Sequence, residues 1–183
     1  MAENLFGLYV QTPIELPLRG KSDIIETLYE VGLPEDSYLV LGGANMVLRG
    51  IKRFTTDLDL MVSAESFRQL TDRPDAEIKQ PPIPAQFRGA INESVWVSGP
   101  STPIPISATE SLGDGMYPMS FEEYRGRAEL VDFVPCLPLG NVIASKAAIQ
   151  RPKDISDLDE IFAFTGQSID LPPPPAKLPI FGY

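Results

Sequence analysis

Asp57 and Asp59 stand one residue apart in the otherwise apolar segment DLDLMV, residues 57–62. On an extended strand alternate side chains share a face. Asp57, Asp59 and Met61 would then point one way, and Leu58, Leu60 and Val62 the other. Two carboxylates a few ångströms apart raise each other's pKa unless a cation lies between them. A divalent ion is the simplest way to keep both ionised. Upstream, Gly42-Gly43 ends the apolar run YLVL and precedes ANMVLRG. A turn without side chains lets backbone N–H groups approach an anion, and a helix start adds a favourable dipole. Hard cations that bind polyphosphates use few protein carboxylates and take their other ligands from phosphate oxygens and water. Glycine pair, short helix and paired aspartates on the next strand therefore read as one site for a metal ion and a polyphosphate. The plainer alternative is a solvated edge strand beside an ordinary turn.

Composition narrows the chemistry further. The 183 residues contain no histidine and one cysteine, Cys136. That removes Ser-His-Asp and Cys-His catalysis, His-containing zinc sites and any intrachain disulfide. A metal must be held by oxygen, which favours Mg²⁺, Mn²⁺ or Ca²⁺. Fifteen Lys and Arg against 25 Asp and Glu leave a net charge of −10. Bulk binding to nucleic acid or an anionic membrane is not expected of such a chain. No apolar run reaches the ~18 residues of a membrane span, and MAENLFGLYV lacks the basic start of a signal peptide. The expected setting is cytoplasmic.

The elements that must position the aspartates follow from the pattern. KSDIIETLYEVGLPEDS reads as a helix capped by Ser22 or Asp23, with Ile24, Ile25, Leu28 and Val31 inward and Gly32 ending it. YLVLGG and DLDLMV read as strands. SAESFRQLTD reads as a helix with Ser63 as cap and Phe67 and Leu70 inward. Residues 73–94 are proline-rich and weakly patterned. SVWVSG and PIPISATES read as strands, the second at an edge because of its prolines. LGDGMYPMS is a loop, AELVDFVPCLPL one strand and its exit, and GNVIASKAAIQ a helix. Pro152 opens a last helix that Gly166 ends. The domain expected over 21–166 is α+β, a mixed sheet flanked by helices with a C-terminal helical pair. An N-terminal extension (1–20) precedes it. An extended Pro-rich tail (167–183) follows, either a linker or strap, or a ligand for aromatic grooves.

The stretch GGANMVLRGIKRFTTDLDLMV resembles the signature of the nucleotidyltransferase superfamily built on the polymerase-beta-like palm: an apolar residue and GG or GS, a spacer, then D-h-D-h with h apolar. Its R-x-T-x-D-L-D-L form, Arg53, Thr55 and Asp57 to Leu60, is similar to small bacterial nucleotidyltransferases of abortive-infection and toxin–antitoxin systems. A second block, LPLGNVIASKAAIQRPKDISDLDEI, resembles the segment that follows the catalytic sheet in those relatives. The two blocks cover about 50 residues. The resemblance implies a nucleotidyltransferase-type sheet and Mg²⁺ (or Mn²⁺) held by Asp57 and Asp59. It implies an NTP as substrate, with its phosphates near Gly42, Gly43 and Lys146 and with Arg53, Thr55 and Lys153 bordering the pocket. Arg151 and Lys153 have a plainer reading too, as a solvated helix start paired with Asp154 and Asp157.

Relatives that catalyse transfer carry a third carboxylate on a neighbouring strand. Here PIPISATES offers Ile104, Ile106 and Ser107 in its place. Asp132 is the leading candidate for that role, with Glu110, Asp114 and Glu129 as the others. Two readings follow. One is a Mg²⁺-dependent enzyme moving an NMP from an NTP to a hydroxyl acceptor on a small molecule or protein. The other is a catalytically lapsed domain of the same fold that binds a nucleotide or a protein partner.

Overall fold

The computed structural model describes residues 18–79, 94–98, 104–110 and 119–167. Residues 1–17, the greater part of the expected loop LGDGMYPMS with Asp114, and the proline-rich tail from residue 168 lie outside the described residues. The chain runs α1 (Lys21–Val31), β1 (Tyr38–Val40), α2 (Gly42–Leu48), β2 (Leu58–Val62), α3 (Ala64–Thr71), β3 (Ala76–Lys79) and β4 (Ser94–Val97). It continues through β5 (Ile106–Glu110), α4 (Phe121–Arg125), β6 (Glu129–Val131), β7 (Val134–Cys136), α5 (Leu139–Ile149) and α6 (Pro152–Thr165). The described part is α+β, a seven-stranded mixed sheet in the order β3-β4-β5-β2-β1-β7-β6 with six helices. The β2–β5 and β1–β7 pairs are parallel and the rest antiparallel. Among the described residues no helix is long and apolar enough to cross a membrane.

The alternation of β2 sorts the core into two layers. Leu58, Leu60 and Val62 pack with Ile24 and Leu28 of α1, Val47 of α2 and Leu70 of α3. Met61, on the Asp59 face, packs with Leu39, Tyr124 of α4, Val142 of α5 and Ile161 of α6. One end of that second face is left to the aspartates. Buried Asn45 fixes the strand ends there. Its amide donates to the Val40 and Leu137 carbonyls (2.9 and 2.8 Å), and its oxygen accepts from Arg49 Nε at 2.7 Å.

Several local expectations are revised. PIPISATES is an interior strand, because Pro105 falls just before β5 and its missing N–H costs no ladder bond. The edge is instead β3, inside the stretch that carries little pattern. AELVDFVPCLPL is a hairpin, not one strand: Asp132 and Phe133 both take positive φ (48° and 66°) and turn β6 into β7. Helix α4 is set by a capping box, with Ser120 N–H donating to the Glu123 carboxylate and Glu123 N–H to Ser120 Oγ. Helix α1 starts one residue before the expected caps, and the Gly20 N–H donates to Asp23 at 2.9 Å. Ile25, counted as inward, is 41% exposed. Arg19, on the extension side of the boundary at residue 20, exchanges two backbone hydrogen bonds with Thr55.

Candidate functional site

Asp57 precedes β2 by one residue, and Asp59 lies within it. Thr55 Oγ1 donates to the Asp57 carbonyl at 3.0 Å, and the Thr56 hydroxyl to Asp57 Oδ1 at 3.4 Å. The Arg19 bridge holds Thr55 itself. The Asp59 carbonyl accepts from Leu41 N–H at 2.9 Å, so the turn into α2 is laid directly beside the Asp59 side chain. Gly42 has φ +53°, and a Cβ there would stand 2.8 Å from Asp59 Oδ2. Both facts require glycine. At Gly43 a Cβ would meet Thr55 Oγ1 at 3.0 Å. We expect Gly42→Ala to cost about 1–3 kcal/mol in urea unfolding, because it must displace the Asp59 carboxylate as well as adopt a positive φ. Unchanged stability would contradict this.

A cavity of about 350 Å³ opens over the aspartates. On the α5–α6 side it is lined by Lys52, Lys146, Arg151 and Lys153, and on the β4–β5 side by Ser94, Trp96, Ser107 and Thr109. The cations are held in order. Buried Asp157 accepts from both Lys146 Nζ and Lys52 Nζ at 2.5 Å. Asp154 lies 3.7 Å from Lys146 and accepts from Arg151 Nε at 2.7 Å. Lys153, on the first turn of α6, is exposed at the cavity.

The field here is uneven. Burial, then the charge of Asp57, pushes the Asp59 carboxyl up to about 7, against the opposing pull of Lys153, Lys146 and Arg151. Burial alone would raise Asp157 too, but the bonds from Lys146 and Lys52 override it and hold Asp157 below the ordinary carboxylate value. Cys136 takes no part. It is buried in strand β7 and its thiol is pushed up to about 12 by that burial.

Asp57, Asp59, Gly42, Gly43, Thr55, Lys146 and Lys153 all line this one cavity. Arg53 does not line it; its guanidinium lies 4.9 Å from the Phe54 ring centroid. Of the third-acid candidates, the three among the described residues are not brought in either. Asp132 sits in the β6–β7 turn, paired with Lys21. Its hairpin is the far edge of the sheet, three strands from β2 and so roughly 14 Å away. Glu129 pairs with Arg49 at 2.6 Å. Glu110 stands opposite Val62, on the face away from Asp59. The β5 position beside Asp59 is Ser107. Among the described residues no group of three or more acids, cysteines or histidines could hold a metal.

Pattern reasoning passed over Lys52, Ser94, Thr109 and Trp96. Lys52 stands in the spacer between the glycines and the aspartates, and nothing local marks it. The alternation of β4 does put Ser94 and Trp96 on one face, but which face depends on strand order. Comparison with protein-family models, with curated proteins and with solved structures finds no match to this chain.

Proposed function

We propose that this domain is a Mg²⁺-dependent nucleotidyltransferase that moves an NMP from an NTP to a hydroxyl of a small molecule or protein. One observation carries the reading: two adjacent carboxylates and a bare glycine turn face four cationic side chains across one cavity. The donor set fits a hard divalent ion. Asp57 and Asp59 would hold it through oxygen, and the space beside Asp59 that a Cβ at Gly42 would fill is kept clear. Bound there, the ion would supply charge neutralisation at the transferred phosphate.

The chain's own residues do the rest. Thr55 and Thr56 hold Asp57 in place. Gly42 and Gly43 let backbone come close to phosphate oxygens. Lys153 offers an exposed ammonium, and Lys146 and Lys52 line the same cavity with their positions set by Asp157. Labelled NTPs incubated with Mg²⁺ and candidate acceptors should give labelled product and pyrophosphate with the wild type, and neither with Asp57→Ala/Asp59→Ala. If no NTP yields either product with the wild type across the acceptors tried, the enzyme reading falls.

The second reading, a lapsed domain that binds a nucleotide or protein partner without turnover, is favoured by Ser107 in the place where relatives of the implied family carry a third acid. Calorimetric binding of Mg²⁺-NTP without pyrophosphate release would select it.

A further inference from the structure

We infer that the nucleotide lies across the sheet, its phosphates toward α5–α6 and its nucleoside over β5 and β4, with the base stacked on Trp96 and the sugar over Ser107 and Thr109. This rests on the reading of the cavity as a metal–polyphosphate site. The cavity is divided by charge. The cations that line it, Lys52, Lys146, Arg151 and Lys153, stand on one side; the β4–β5 lining is hydroxyls and an indole, with the β3 ammonium of Lys79 over the indole ring but outside the lining. Phosphate is drawn to the first, and the neutral remainder of the molecule has the second left to it.

Strand register gives the reach. Trp96 pairs with Ser107, and Ser107 with Asp59, so the three stand in one row across β4, β5 and β2. Two strand spacings separate the indole from the carboxylate, about 10 Å. A ribose and a base laid end to end span that interval. The indole is also held ready. Trp96 Nε1–H donates to buried Ser94 Oγ at 3.1 Å, and the Lys79 ammonium lies 5.4 Å from the ring centroid. With its one donor engaged and Lys79 over one face of the ring, the indole has its other face to offer a ligand. Recognition by stacking tolerates every base, since each has a π-face. The site therefore separates nucleotides from bare polyphosphate but discriminates little among the four bases. Phe54 is the other aromatic of the cavity lining, but the Arg53 guanidinium stands over its ring and it is outside the strand row that carries Asp59, Ser107 and Trp96.

Trp96 is the only tryptophan in the chain, so its emission reports on this one spot. The full chain is titrated in Mg²⁺ with each of the four NTPs and with inorganic tripolyphosphate, by fluorescence and by calorimetry. We expect every NTP to change Trp96 emission saturably, and tripolyphosphate to bind without that change. Trp96→Ala should weaken NTP binding about tenfold, the scale of one lost base–aromatic stack, and leave tripolyphosphate affinity unaltered, which also shows the variant is folded. Trp96→Phe should restore most of the loss. NTP binding that leaves Trp96 emission unmoved and survives Trp96→Ala would overturn the inference while keeping the polyphosphate site. So would a loss that follows Phe54→Ala instead. If neither NTP nor tripolyphosphate binds, the polyphosphate reading fails, and this inference with it.

Discussion

Asp59→Asn is expected to make the metal-free protein more stable than the wild type above neutral pH while lowering any transfer activity by about 10³-fold. The stability half follows from linkage. An Asp carboxyl titrates near 3.8 in its ordinary state, and in the fold Asp59 is raised to about 7, first by burial and then by Asp57. Between those values the folded protein holds a proton that the unfolded chain has released. Stability therefore falls as pH rises through this window, by at most ~1.4 kcal/mol per pH unit for one proton. Above about pH 7 the whole penalty is present, and below about pH 4 none of it is. Asparagine keeps the shape without the charge, so this part of the slope is absent and its advantage grows with pH. Urea unfolding of both proteins in chelator, at a series of pH values, measures this. Adding Mg²⁺ should recover stability for the wild type only, as binding to the folded state alone requires. An Asn variant no more stable than the wild type near pH 8 would show that Asp59 carries no such cost. A residue whose removal stabilises the fold is one whose retention has a purpose other than folding.

The legible parts of this chain were those where local chemistry is enough. The order Gly42-Gly43, α2 and β2 follows from a run of apolar residues, a glycine pair and a two-residue alternation. Each is a short-range signal, and the structure adds the reason for the glycine at 42, the Asp59 oxygen beside it. What was not legible depends on strand order. Asp132 looked apt as an acid on a strand, yet it occupies a turn whose two residues both take positive φ without a glycine. Its hairpin then docks on the far side of β1. Nothing within ELVDFV states which strand will be its neighbour. Pro105 misled in the same way, since one residue's difference in where β5 begins turns an edge signal into a silent one. The cationic wall is intermediate. Lys146 could be read from its helix, but its pairing with Asp157 needs α5 to end where it does. Gln150 in the left-handed region stops α5 there, and α6 runs back against it.

That pairing has the largest consequence for stability. Asp157→Ala is expected to destabilise the protein by about 3–5 kcal/mol, the cost of leaving a buried charge unmatched. Two ammonium groups lose their hydrogen-bond acceptor at once, and Lys146 keeps only Asp154, 3.7 Å away and already bonded to Arg151. Lys52 can turn toward water, but Lys146 is only 6% exposed and cannot do so without opening the α5–α6 packing. Replacing the lysine as well, in Asp157→Ala/Lys146→Met, should recover a large part of the loss, because the double variant removes the unmatched charge rather than its partner alone. Additive losses in that cycle would mean the two side chains act independently. The pH dependence has the opposite sign to that of Asp59. The fold holds Asp157 below its ordinary range, so its contribution is fully present above the unfolded-state value and is lost as pH falls through the folded one. The metal-free wild type should then be less stable on both sides of a maximum in mildly acidic solution. Asp157→Asn should reduce the slope of the acid limb, to which Asp75 and Glu123 also contribute, and Asp59→Asn the slope of the limb toward neutrality. Two carboxylates in one cavity would in this way be told apart by the limb each controls, one kept ionised by its lysines and the other raised by burial and by Asp57.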